Sequence, residues 1–231
     1  MKNKLFYTLV FISIAFVQQV SGQSEVKNSE EYKHHKSIYD RAVRYSDIGV
    51  AKNAIYNLLV LDPNDVSLLD SLAILYFDYN QYAQSLLVSL DILKKNPNSL
   101  VATEISAVSY ENLQLYDKAL TSYESLYLKN NNIYTLYKIA FLQFNLKRYN
   151  EARTSTDIIL KDKKSEELNI VFNPSRNKQE EVSMKAAVLN LKGLIAKEEG
   201  NKDEAKKLFE EALVSAPEFT FAKQNIEDLE K

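Results

Sequence analysis

Residues 186–219 read AAVLNLKGLIAKEEGNKDEAKKLFEEALVSAPEF, and this stretch decides the fold. Gly193 supplies a small residue in a first helical pattern, and Gly200 stands where that pattern breaks. Ala205, Phe209 and Ala212 then recur at helical spacing until Pro217. Apolar residues three and four apart mark one face of an amphipathic helix. Proline lacks the amide donor and its ring meets the preceding turn, so a helix interior cannot continue through it. The stretch is therefore a helix, a turn, a second helix and a stop.

The same pattern recurs upstream. Ala205 lies twelve residues before Pro217, as Ser85 does before Pro97 and Ala51 before Pro63; Ala119 and Ala152 fill the role where no proline follows. Steps along this series are 34, 34, 33 and 53 residues, the last being one period plus an insertion of 19. Ala73, Ala107, Ala140 and Gly193 form a parallel series in the first helix of each pair, where two helices must cross closely. Tyr82, Tyr116 and Tyr149 stand three residues before the small residue of the second helix, placed to cap the core at the turn. A period near 34 in a helix-rich chain marks a stacked helix-turn-helix array. Such arrays present extended surfaces that hold partners.

These residues resemble the tetratricopeptide repeat family, whose pattern includes a Leu-Gly pair, an aromatic, an Ala, a Phe and a closing Pro. Residues 186–219 match it best. The unit at 66–99 carries Leu69, Leu72, Ala73, Tyr76, Tyr82, Ser85 and Pro97, and that at 100–132 carries Ala107, Tyr110, Tyr116, Ala119 and Tyr123. The unit at 133–165 keeps Leu136, Ile139, Ala140, Tyr149 and Ala152; the first, about 30–65, has Ala51, Ile55, Leu58 and Pro63 but Tyr39 where a small residue is expected. The resemblance implies an all-α, right-handed superhelical α-solenoid of about five such units, spanning residues 30–231. Asp65 and Ser99 are placed to accept from the free amides of the helices that follow Pro63 and Pro97. After Pro217, Phe221, Ala222, Ile226 and Leu229 give a C-terminal capping helix its inner side, with Gln224, Glu227, Asp228 and Glu230 outside.

Residues 162–182 interrupt the array. Leu168, Ile170 and Phe172 alternate with Asn169, Val171 and Asn173, and Pro174 follows, which predicts an extended segment and a turn. Such a segment either seals a gap in the stack or lies over a groove as a lid. Residues 179–200 then read as one long helix.

The N-terminus is a separate object. Lys2 and Lys4 precede an apolar run over 5–17, broken only by Thr8 and Ser13, and Val20-Ser21-Gly22 supplies small side chains. This is the succession of a secretory signal cleaved after Gly22, leaving a polar segment over 23–29. The run is shorter than the roughly 20 residues that span a bilayer, so no stable membrane span is expected after its removal. The expected location is the periplasm or the cell exterior. Loss of residues 1–22 leaves 27 basic and 31 acidic side chains, a balance of −4, which points to neither nucleic acid nor a polybasic membrane patch. With no cysteine in the chain, disulfides, thiolate nucleophiles and thiolate metal ligands are excluded.

Nothing in the sequence assembles a catalytic, cofactor or metal site. His34 and His35 are adjacent, and neighbours on a helix point about 100° apart rather than converging on one ion. The four glycines are scattered, so no phosphate-binding loop exists. Function falls instead to the concave face, which in the resembled family is lined by the first helices. Register places Asp70, Ile74, Phe77 and Asp78 there in the second unit, and Glu104, Val108 and Glu111 in the third. The fourth contributes Tyr134, Tyr137, Phe141 and Phe144, and the fifth Asn190, Leu194 and Lys197. Tyr137, with its hydroxyl, is expected to face solvent; the alternative is that Phe141 and Phe144 belong to the core and Tyr134 and Tyr137 cover it. The acidic and aromatic character suits an apolar or basic peptide or a partner helix. The chain is thus expected to be a non-catalytic scaffold or adaptor of the cell envelope that binds a protein or peptide. The alternative is a structural subunit of an envelope secretion or outer-membrane assembly.

Overall fold

A computed structural model describes residues 25–176 and 178–231; the signal sequence expected over 1–22 lies outside the described residues. Helices pair in chain order. They are α1 (Glu30–Arg44) with α2 (Ile48–Leu61), α3 (Val66–Asp78) with α4 (Tyr82–Lys95), and α5 (Leu100–Asn112) with α6 (Tyr116–Asn130). Next come α7 (Ile133–Asn145) with α8 (Tyr149–Lys161), and α10 (Met184–Glu198) with α11 (Lys202–Ser215). A four-residue helix α9 (Lys164–Glu167) and strands β1 (Asn169–Ser175) and β2 (Lys178–Ser183) stand before the last pair, and α12 (Thr220–Leu229) follows it. Two compact units divide between Ile105 and Ser106, within α5.

The small-residue series sits where the sequence requires it. Ala51, Ala73, Ser85, Ala107, Ala119, Ala140, Ala152 and Ala205 are completely buried. In the first unit the Ser85 hydroxyl donates to the carbonyl of Ala73 at 2.8 Å, so the two series meet at the crossing of α3 and α4. Tyr32, Ile55, Leu58, Leu68, Leu72 and Tyr76 form one core cluster, and Ala73, Ile92, Ala102 and Ile105 another. Each fully buried aliphatic such as Ile55 or Leu58 contributes about 1.5–3 kcal/mol.

The turn within each pair is set by one left-handed residue. Ser46, Asn80, Gln114, Lys147 and Gly200 have φ of 56°, 56°, 59°, 59° and 85°, and they keep the steps of the small-residue series. The residue after each donates its amide five positions back: Asp47 to Ala42, Gln81 to Tyr76, Leu115 to Tyr110, Arg148 to Gln143 and Asn201 to Ala196, at 2.8–2.9 Å. This is the Schellman closure of a helix C-terminus. Between pairs, the oxygens of Asp65, Ser99 and Asn132 accept from the amides of Ser67, Ala102 and Tyr134. Where no proline follows α6, Asn131 takes a φ of 48° and turns the chain.

In the second unit the largest cluster joins Ala107, Leu120, Tyr123, Leu136, Ile139, Leu142, Ile159 and Ile195. The insertion differs from expectation in one respect. Residues 178–183 are β2, paired antiparallel with β1 in the register Asn169↔Ser183, Ile170↔Val182, Val171↔Glu181 and Phe172↔Glu180, and the helix expected over 179–200 begins only at Met184. Three contacts favour strand over helix here. Val182 is buried in the cluster around Phe209 and Phe219, Glu180 accepts from the amide of Thr220 at 3.0 Å, and Ser183 caps the following helix through the amide of Ala186 at 3.2 Å. Helix α12 lies as expected, with Ala222 buried and Phe221, Ile226 and Leu229 turned inward.

Candidate functional site

The first helix of each pair supplies the candidate surface, and the two units carry separate parts of it. In the first, α3 presents Ile74, 41 % exposed. Asp70 on the same helix is half-buried, and its Oδ1 is shut from solvent with no hydrogen-bond partner; burial raises its carboxyl above the ordinary aspartate value. A buried acceptor without a donor costs free energy, so Asp70 opposes the fold once it is ionised. Phe77 turns away. It packs on the Ala73 and Ile92 cluster and meets the edge of Tyr82 at 5.9 Å. Asp78 and Glu104 are exposed.

In the second unit Val108 packs on the core. Glu111 accepts from the Tyr123 hydroxyl at 2.6 Å and from Lys138 at 2.8 Å. The acidic group therefore arrives already paired, and Lys138, an α7 residue that register reasoning passed over, stands beside the aromatics.

Those aromatics sort into two kinds. Phe141 and Tyr134 are 39 % and 40 % exposed. Phe144 packs on the core with its ring 6.0 Å from that of Tyr149. Tyr137 contradicts expectation: it packs against both core clusters of the unit, and burial pushes its hydroxyl well above the ordinary tyrosine range. The cause is the insertion. Leu168, Ile170 and Phe172 point into the same clusters, so the hairpin fills the space into which register alone would open Tyr137. The Tyr134 hydroxyl donates to the carbonyl of Asn169, tying the rim of α7 to β1.

The fifth pair is closed off as well. Asn190 is buried and its Oδ1 accepts from Asn225 of α12 at 2.9 Å, while Leu194 packs on the Phe209 cluster and Lys197 is half-buried. What stays open in the second unit is an apolar step of Phe141 and Tyr134 beside the Glu111–Lys138 ion pair, bordered by the outer face of β1, where Val171 is 50 % exposed. The alternation over 168–173 signalled that strand; nothing in it signalled which side chain it would bury. Among the described residues no group of three or more His, Asp or Glu side chains is placed to hold a metal ion, and no helix is long and apolar enough to cross a membrane.

Family models of the tetratricopeptide repeat match residues 134–162 and 186–219. No curated protein sequence matches the chain. Solved structures that resemble it include the MamA protein, 18 % identical, with 80 % of this chain and 92 % of that one covered and a TM-score of 0.62. A tetratricopeptide repeat protein from Parabacteroides merdae is 19 % identical, over 87 % of this chain and 73 % of that one, with a TM-score of 0.65. YrrB, described as a tetratricopeptide repeat protein with an unusual peptide-binding site, is 12 % identical over 87 % of this chain and 95 % of its own, with a TM-score of 0.68.

Proposed function

We propose that this chain, a tetratricopeptide-repeat protein by its matched repeats and its fold, binds a peptide or helix of a protein partner on the first-helix face of its second unit. The repeat fold itself is a scaffold for protein–protein interaction. The observation that carries the finer reading is the step of Phe141 and Tyr134 beside Glu111 and Lys138. Aromatics that stay exposed in an otherwise well-buried helix face are the residue types that dominate interface energies. A neighbouring ion pair offers one charge of each sign to a partner's backbone or side chains. YrrB, on a similar fold, is described as having a peptide-binding site, which supports the reading by analogy.

The N-terminal succession of charge, apolar run and small residues supports export, and hence a partner in the periplasm or outside the cell. Mass spectrometry of natively produced protein should find a chain beginning at Gln23; a chain retaining Met1 in the cytoplasm would sink this part of the reading. Partner binding is tested by capture from an envelope extract with the wild-type chain and with Phe141→Ala. Phe141 is open enough that its truncation should leave the circular dichroism melt nearly unchanged. Loss of a hot-spot aromatic weakens binding by roughly tenfold or more. Equal recovery of the same partner by both proteins would move the interface away from α7. A second reading, a structural subunit of an envelope assembly, draws on Leu128 and Val214. They are 86 % and 84 % exposed at one register of the second helices, nine residues after Ala119 and Ala205, and would serve as lateral contacts there.

A further inference from the structure

Among the described residues the first helix pair ends on an open face whose counterpart in the second pair is covered. His34, Ile38, Ala42 and Asp47 stand 34 residues before Leu68, Leu72, Tyr76 and Gln81. In the second pair those residues turn toward α2. Leu68, Leu72 and Tyr76 are buried in one cluster with Ile55 and Leu58 of α2. The Tyr76 hydroxyl lies 2.8 Å from that of Tyr56, and Gln81 accepts from Lys52 at 3.0 Å. No element among the described residues does for the first pair what α2 does for the second. Ile38, Ala42, Tyr45 and Val50 line an open cleft of about 450 Å³ flanked by Arg41 and Asp47, with Tyr45 72 % and Val50 43 % exposed.

An array of this kind needs a polar outer face at each terminus to stay dispersed. The C-terminal end has one, since α12 shows Gln224, Glu227 and Asp228 outward. The N-terminal end keeps the apolar chemistry of an internal junction.

We propose that this face pairs with the same face of a second copy of the chain, head to head about a twofold axis. Two features select a second copy over another occupant. The apolar strip is flanked by charges of opposite sign: among the described residues Arg41 forms no ion pair and the Asp47 carboxylate accepts from the amide of Val50 alone, at 3.1 Å. A twofold contact brings residue i of one protomer to j of its partner and j to i, so Arg41 of each protomer meets Asp47 of the other and no charge is left over. The polar outer side of α12, in turn, offers no apolar surface for a head-to-tail stack. The proposal is independent of the reading of α7, because none of its residues belongs to that face.

Sedimentation equilibrium of the whole purified chain tests it. The wild-type chain should run as a dimer. Tyr45→Glu and Arg41→Asp should each weaken the dimer at least about tenfold, which corresponds to about 1.4 kcal/mol, while the circular dichroism melt falls only slightly, as an acid at the C-terminal end of α1 opposes the helix dipole. Asp47→Arg should be monomeric too, and mixing it with Arg41→Asp should restore a dimer, because the mixed pair recovers both opposite-charge contacts. A wild-type chain that stays monomeric at the highest soluble concentration overturns the proposal. So does a dimer that survives both Tyr45→Glu and Arg41→Asp.

Discussion

A Cβ added to Gly193 would lie 2.4 Å from Cε1 and 2.6 Å from Cδ1 of Phe209, so the last helix pair closes by the ring of one helix resting on the bare backbone of the other. Phe209 is completely buried and has no room to retreat. Gly193→Ala should therefore destabilise the protein by about 1–3 kcal/mol through overpacking. This outweighs the gain of up to about 1 kcal/mol that alanine brings to a helix interior. Thermal melting checks it, and adding Phe209→Leu to the alanine variant should recover part of the loss. A Gly193→Ala protein that melts at or above the wild type would show that the crossing has slack.

Gly200 presents the opposite case, and with it the other left-handed turns. A Cβ there would touch nothing within 4 Å, but its φ is +85°. Gly200→Ala should cost about 1 kcal/mol by backbone strain alone. Gln114 already carries that strain at φ 59°, so Gln114→Gly should stabilise the protein. The left-handed cost of about 1–2 kcal/mol, less about 0.4–1 kcal/mol for the freer unfolded chain, leaves a net gain of up to about 1.6 kcal/mol. Comparison of denaturant midpoints for the two variants decides it.

The repeat was legible because its small residues obey a steric rule that leaves a trace in sequence: Ala51, Ala119 and Ala205 must be small wherever helices cross, whatever their neighbours. The left-handed turns left a fainter trace, since Ser46, Gln114 and Lys147 tolerate the conformation without being glycine. Strand β2 was hidden for a different reason. Lys178, Gln179, Glu180 and Glu181 favour helix by local propensity, and only contacts distant in sequence, Val182 with the Phe209 cluster and Glu180 with Thr220, override it. The burial of Tyr137 followed from that same miss. Register reads a helix face as though nothing were inserted over it.

Two carboxylates give opposite pH responses. Burial alone would raise the Glu180 carboxyl, but bonds from Lys178 and Thr220 prevail and hold it below the ordinary glutamate value. Its contribution is thus present above the unfolded value and is lost as pH falls through the folded one, below about pH 4.3. Glu180→Gln keeps one acceptor oxygen for Thr220 but removes the charge that pairs with Lys178, so it should lower the melting temperature at pH 7 and change it little at pH 3. The Asp70 carboxyl is raised by burial, so it favours the folded chain at low pH and opposes it once ionised. Asp70→Asn should raise the melting temperature at pH 7 more than at pH 3. Melts of both variants across that range test the two signs together.

Tyr137 and Phe141 lie four residues apart on α7 and should separate stability from binding. Tyr137 joins both core clusters of the second unit, with Leu168 and the hairpin residues Ile170 and Phe172 packed on the same clusters. Truncation leaves a cavity that neither the helices nor the hairpin can fill, and comparable losses of buried aromatics cost about 3–5 kcal/mol. Tyr137→Ala should therefore melt far below the wild type and expose the hairpin to early proteolysis. Tyr137→Phe, which keeps the ring, should stay close to the wild type. Phe141→Ala, at a position 39 % exposed, should melt within about 1 kcal/mol of it. If Tyr137→Ala kept the wild-type melt while Phe141→Ala collapsed, the hairpin would not be the element that closes this part of the helix face.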